Sequence, residues 1–305
     1  MKPTRLLSYL LAASLITTTG LKAQNNSKDS TGMPGDHFSL EGALHLFKKA
    51  GNPEEFERLL NSEDNRVNNL DLNGDGDIDY IKVIGKKEKD AHVFILQVPV
   101  SETENQDIAV IEVEKTGDEN AVLQIIGDEE IFGEQVIVEP GEAEEENIAN
   151  DNENRKGPNA DYSYESGNRI VVNVWFWPSV RFIYGPSYRV WISPWRWHYY
   201  PAWWRPWRPL GWRAFHPHCV RYRPGFAVVR THRVVHAHRV YTPHRTTSVI
   251  VRNRHAVARS NYHVTRSRTT VVGPRGNSVT RKTTTVSGRN GRVKASKTTV
   301  RRKRH

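Results

Sequence analysis

All 34 acidic residues of this 305-residue chain lie between Asp29 and Glu165, and none follows. Of the 44 Lys and Arg, 3 precede Gln24, 12 fall within 24–168 and 29 come after. The net charge of +10 therefore conceals an acidic half and a basic half of much larger and opposite charge. A fold that joins the halves sets carboxylates against guanidinium groups, and one that separates them leaves a polycation to find other anions. The nine Trp are segregated too, all between Trp175 and Trp212.

The N-terminus carries Lys2 and Arg5, then the apolar stretch LLSYLLAASLI, then small and polar residues ending in LKA before Gln24. That is the layout of a secretory signal peptide over 1–23, and its apolar run is shorter than the ~20 residues a membrane span needs. The mature chain is expected to be exported, to periplasm, outer surface or extracellular space, as a soluble or peripheral protein. No cysteine stands near Gln24 to carry a lipid anchor, and Cys219 is the one thiol. An internal disulfide is impossible, so stability must come from packing or from metal.

Residues 24–36 read as a flexible N-terminus and 37–140 as an acidic domain. FSLEGALHLFKKAG spaces Phe38, Leu40, Ala43, Leu44, Leu46 and Phe47 near a helical period, with Ser39 as N-cap and Gly51 as stop. Pro53 suits the first turn of a second helix. From Val67 the pattern changes to IDYIKVIG, HVFILQVPV, DIAVIEVE, AVLQIIG and EQVIVEP, short Val- and Ile-rich runs between polar or glycine turns. The fold class expected is α+β: two short helices and an antiparallel meander of about five strands. Ile108, Val110 and Val113 are expected on one buried face.

Between helices and meander lies DLNGDGDIDYIK, residues 71–82, with Asp71, Asn73, Asp75, Asp77 and Asp79 on alternate positions and Gly76 at the turn. A hard cation such as calcium takes six to eight oxygens, and a chain supplies them by folding tightly around the ion. The stretch resembles an EF-hand loop, which implies side-chain ligation by Asp71, Asn73 and Asp75, a backbone carbonyl from Asp77, and Asp79 directly or through water. It departs from that pattern at Lys82, where an EF-hand has Glu, and in the strand-like residues that follow. It is more similar to the strand-loop-strand calcium loop of integrin-type β-propellers, which implies that Asp79 closes the site and Lys82 is a strand residue. A single copy implies no propeller, and the calcium is expected to be structural.

Residues 141–168 are polar, acidic and expected to form a disordered linker. In 169–215, SVRFIYG and YRVWIS flank Gly185-Pro186-Ser187 as a hairpin would, and beyond Pro194 frequent prolines predict extended or turn-rich chain. Trp195, Trp197, Trp204 and Trp207 interleave with Arg196, Arg205, Arg208 and Arg213. Trp faces stack on sugars, bases or guanidinium groups, and Arg pairs with phosphate, so these eight are the candidate polyanion contacts. Packing of the rings on the acidic domain is the competing reading. In composition the segment resembles Trp/Tyr/Pro/Arg-rich regions of secreted bacterial proteins, a resemblance that implies no activity.

Residues 216–305 read as a basic low-complexity tail with a loose repeat, TTVVGPRGNSVTRK and TTVSGRNGRVKASK, and Asn290-Gly291 as a hairpin signal. His216-Pro217-His218-Cys219 and His236-Ala237-His238 place metal-binding side chains two apart, but a tail offers little scaffold for zinc. No HExxH, GxSxG, P-loop or Cys-x-x-Cys occurs, and the basic half has no carboxylate to orient a histidine. The function expected is noncatalytic: an envelope or surface protein whose cationic aromatic tail binds lipopolysaccharide, acidic glycan or extracellular DNA, with peripheral membrane contact. Export argues against chromosomal DNA. The alternative is an interaction module whose acidic domain binds a basic partner or its own tail.

Overall fold

A computed structural model describes residues 30–141, 171–272, 278–287 and 293–303, the last strands by backbone and register. The signal-peptide segment, linker residues 142–168 and the Asn290-Gly291 turn lie outside these residues. The architecture is α+β. Helices α1 (Leu40–Lys49) and α2 (Pro53–Leu60) start at Ser39, which accepts a hydrogen bond from Gly42 N, and Asn52, which accepts one from Glu55 N. Strands β1 (Lys82–Glu88), β2 (Ala91–Pro99), β3 (Asn105–Gly117), β4 (Asn120–Gly127) and β5 (Val136–Pro140) then form an antiparallel meander, with the short helix α3 (Glu129–Phe132) before β5.

Both faces of this sheet are buried. The first packs on α1, α2 and α4 (Pro178–Ile183), joining Phe38, Leu44, Phe47, Phe56, Phe94, Ile111 and Val113 in one core. The second gathers Val93, Ile95, Val110, Ile126 and Ile137 beneath α6 (Val235–Tyr241). Val110 lies on the opposite, also covered side: alternation parts it from Val113, and the register shift at Ile108, where pairing steps from Leu96–Ala109 to Gln97–Asp107, turns Ile108 to the first face. Burying each such side chain is worth roughly 1.5–3 kcal/mol. Leaving the second face wet would cost a large part of a domain's ~5–15 kcal/mol of stability.

The cover comes from the basic half. Strand β6 (Phe226–Val229) pairs antiparallel with β5, Val229 opposite Ile137 and Ala227 opposite Glu139, making a six-stranded sheet. Helices α5 (Trp212–Val220), α7 (Val249–Arg254) and α8 (Ala256–Asn261) complete this part. Residues 216–261, expected as low-complexity tail, are therefore part of the body. Buried carboxylates explain why: Arg233 pairs with Glu139 at 3.0 Å, Arg245 with Asp128 at 2.6 Å, and Arg252 with Glu130 at 3.2 Å. Burial pushes the Asp128 carboxyl up, and the Arg245 guanidinium opposes that shift.

Two further expectations change. The predicted hairpin around Gly185 is instead α4 followed by extended chain, because Pro178 starts a helix whose Val180 and Ile183 reach the first core. The extended part shields the edge strand β1, with Gly85 N donating to Trp191 O at 2.7 Å and Ser193 N donating to Val83 O at 3.1 Å. A Cβ at Gly85 would stand 2.7 Å from Trp191 O, so glycine is what lets the two backbones meet. Residues 31–36 are also packed, not flexible: the buried Asp36 carboxylate accepts from Ser30 Oγ, Thr31 Oγ1 and Gly32 N.

Beyond Tyr262, strands β7 (His263–Val272), β8 (Ser278–Ser287) and β9 (Val293–Lys303) form a second, three-stranded antiparallel sheet. Among the described residues, no helix is long and apolar enough to cross a membrane.

Candidate functional site

The acidic loop folds on its own backbone. Asp71 accepts from Gly74 N at 2.6 Å and Gly76 N at 3.0 Å, Asn73 Oδ1 from Asp75 N at 2.8 Å, and Asp75 Oδ1 from Asp77 N at 2.9 Å. Gly74 and Gly76 take φ of 71° and 85°, a region where a Cβ is strained, which is why glycine stands at both turns. The ends are tied together: Asp79 N donates to Leu70 O, and Asn68 Nδ2 donates to Asp79 O. Lys82 has left the loop as the first residue of β1, its Nζ donating to Asn105 Oδ1 at 3.1 Å.

Asp79 differs from its neighbours. Its side chain is buried, accepts from Leu72 N at 2.5 Å, and has its pKa pushed up to about 8, first by desolvation and then by the charges of Asp71 and Asp75. The all-oxygen donor set suits a hard divalent cation, which would hold Asp79 as the anion. The loop also has cationic neighbours from the basic half. Arg208 Nη1 donates to Gly76 O at 3.0 Å with its Nε 3.6 Å from Asp77, and the Arg254 guanidinium lies where a Cβ on Gly74 would be.

The aromatic segment arches over the same region. Ile78 N donates to Trp207 O at 2.8 Å, and Asn69 exchanges hydrogen bonds with the Leu210 backbone. Tyr80, fully buried, packs edge-on against Trp204 at 5.2 Å and beside Tyr200 at 5.6 Å. The eight predicted contact residues therefore have different fates. Trp204 is buried core and Arg208 serves the loop. Arg196 is exposed and stacks on Tyr199 at 4.3 Å; Arg205 is exposed, its Nη1 donating to Ala202 O and Trp204 O. Arg213 is exposed, Trp197 contacts His198, and Trp195 and Trp207 are half-buried.

Beside the arch runs a groove of about 310 Å³ bounded by Glu54, Glu55, Tyr80, Trp191, Trp195 and Trp203. Its floor holds Glu57, a buried carboxylate that accepts four hydrogen bonds: Tyr80 OH and Ser193 Oγ at 2.8 Å, Val83 N at 2.9 Å, and Trp191 Nε1 at 3.1 Å. Desolvation raises its pKa and these four donors oppose the shift. Sequence reasoning missed Glu57. The one signal was its position on the apolar stripe of α2, four residues after Pro53 and three before Leu60.

Comparison with protein-family models, characterised proteins and solved structures found no match for this chain.

Proposed function

We propose that this is a noncatalytic, exported envelope or surface protein whose folded body displays a cationic β-sheet that holds polyanions. The observation that carries this reading is the register of β7–β9. Arg268 stands opposite Lys282, Arg266 opposite Thr284, Lys297 opposite Thr284, Arg301 opposite Thr280 and Lys303 opposite Ser278. Alternation therefore sets Arg266, Arg268, Lys282, Lys297, Arg301 and Lys303 at positions on one face, against Arg281 and Arg302 on the other. Like charges directly opposite one another disfavour a sheet, and a bound polyanion removes that cost. The polyanion surface thus shifts from the Trp/Arg segment to these strands, with Arg196, Arg205 and Arg213 as exposed additions.

The alternative reading, an interaction module whose acidic domain binds a basic partner or its own tail, is favoured in its second form by the ion pairs of Arg233, Arg245 and Arg252 with the acidic half. The two readings use different parts of the basic half: residues up to 261 for the clasp on the body, and the strands after 262 for the polyanion. Calcium in the 71–79 loop is proposed as a structural staple of the body, supported by the buried Asp79 carboxyl and the oxygen donor set.

The test is binding of the full chain to lipopolysaccharide, an acidic polysaccharide and duplex DNA as salt is raised. Six phosphate contacts predict a loss of about a thousandfold on duplex DNA between about 50 and 200 mM salt. Changing the six aligned basic residues to Ser should abolish binding while leaving the near-ultraviolet spectrum of the body unchanged. Absence of binding to all three at low salt would overturn the reading.

A further inference from the structure

We propose that Glu112, His232 and His238 form a binding site for a divalent transition metal of the zinc type, fastening α6 to the second face of the sheet. Glu112 lies mid-strand in β3 with no exposed surface. His232 follows β6 and His238 is in α6, so pairing of β6 with β5 and packing of α6 on β2 and β3 bring the three together. His232 Nε2 stands 2.8 Å from Glu112 Oε2, and His238 Nδ1 stands 2.8 Å from Glu112 Oε1. The two imidazoles meet edge to face, 4.3 Å between centroids.

One nitrogen from each ring and one carboxylate oxygen all lie within 4.8 Å of one another. A tetrahedral zinc with bonds of about 2.0–2.1 Å holds its ligand atoms about 3.3 Å apart, so small side-chain rotations suffice to admit the ion. Two nitrogens and one oxygen suit zinc and its neighbours in the first row, whereas calcium and magnesium want oxygens throughout. The rings retain 22% and 29% exposure, which gives an entry path and leaves a coordination position for water.

The backbone around His232 is fixed without using the three ligands. Gln124 Nε2 donates to Thr231 O at 2.9 Å, Arg233 N donates to Gln124 Oε1 at 2.8 Å, and Arg233 pairs with Glu139. On the helix side, Ala237 N donates to Glu114 Oε1 at 2.7 Å. Such second contacts hold ligands in place before the ion arrives. The rings meet Glu112 through His232 Nε2 and His238 Nδ1; a metal bound at those two atoms replaces both contacts, and each ring's proton then stands on its other nitrogen. His236, on the same helix, faces elsewhere, its Nε2 3.6 Å from Glu88.

The experiment uses the full chain stripped with chelator, titrated with zinc chloride by calorimetry and thermal unfolding, and with cobalt chloride by visible absorption. One zinc per chain should bind at micromolar concentration, and cobalt should give the intense bands of a tetrahedral site. A hundredfold excess over Kd should raise the unfolding temperature by about 5–10 °C. Glu112→Gln and His238→Ala should each weaken binding by more than the roughly 10–100-fold that loss of a supporting residue costs, and His236→Ala should leave it unchanged. If Glu112→Gln does not fold, His238→Ala decides, because His232 still donates to Glu112 in that variant. No zinc binding by the parent chain, or binding that survives His238→Ala, would overturn the proposal.

Discussion

Glu57 offers the sharpest test of how the halves are held, because one carboxylate receives donors from both: Tyr80 and Val83 of the acidic half, Trp191 and Ser193 of the segment after it. Hydrogen bonds to a charged acceptor contribute about 1.5–3 kcal/mol each, but desolvation of the carboxylate offsets much of their sum. In Glu57→Ala, Val83 N, Tyr80 OH and Ser193 Oγ are left buried, whereas Trp191 Nε1 opens toward the groove and reaches water. At about 1–3 kcal/mol for each stranded donor, with some water entering from the groove, the loss should be about 4 kcal/mol. Glu57→Gln should cost only about 1–2 kcal/mol, since its oxygen can serve the two N–H donors while the Tyr80 and Ser193 hydroxyls turn to accept from its amide. Urea unfolding followed by Trp fluorescence measures both, and hydrogen exchange at Gly85 and Ser193 should accelerate in the Ala variant as the 191–193 segment lifts from β1. An Ala variant within about 1 kcal/mol of the parent, or a Gln variant as damaged as Ala, would refute the reasoning.

The remaining predictions concern the second sheet face and the loop. Residues 30–141 expressed alone should expose Val93, Ile95, Val110, Ile126 and Ile137, bind the dye ANS and self-associate; a monomer that excludes the dye would contradict the account of the second core. The folded pKa of Asp79 near 8 lies above the ordinary value near 4. Its contribution to stability is therefore full below about pH 4 and is lost as pH rises through about 8. Asp79→Asn should flatten that slope, and calcium should stabilise the parent chain increasingly across the same window while leaving the variant unmoved. Parallel stability curves for parent and variant would count against both the burial of Asp79 and its role in the loop.

Much of the acidic half was legible. Ser39, Asn52 and Pro53 mark helix starts by local chemistry, and the Val/Ile runs separated by turns specify β1 to β5 without reference to anything distant. The loop was legible for the same reason, since alternating Asp and Asn with glycine at the turn is a local pattern. Residues 216–261 were misread because the absence of acids and an Arg-rich composition resemble a solvated tail. Nothing in FAVV announces a sixth strand, and nothing in VHAHRVY announces a helix that covers a sheet. Their apolar residues are too few to form a core alone, and they become core only against Ile126 and Ile137.

The sequence by itself determined the α+β class, the meander, the shape of the acidic loop and the separation of charge, because each depends on neighbours a few residues apart or on totals. Only the tertiary structure decided which charges meet. Glu112 and His238 are 126 positions apart, and Glu57 and Ser193 are 136 apart. Pairings at that separation follow from strand order and from the burial of a second sheet face, which makes each buried carboxylate find a donor. Composition counts those charges, and the fold assigns each buried one its partner.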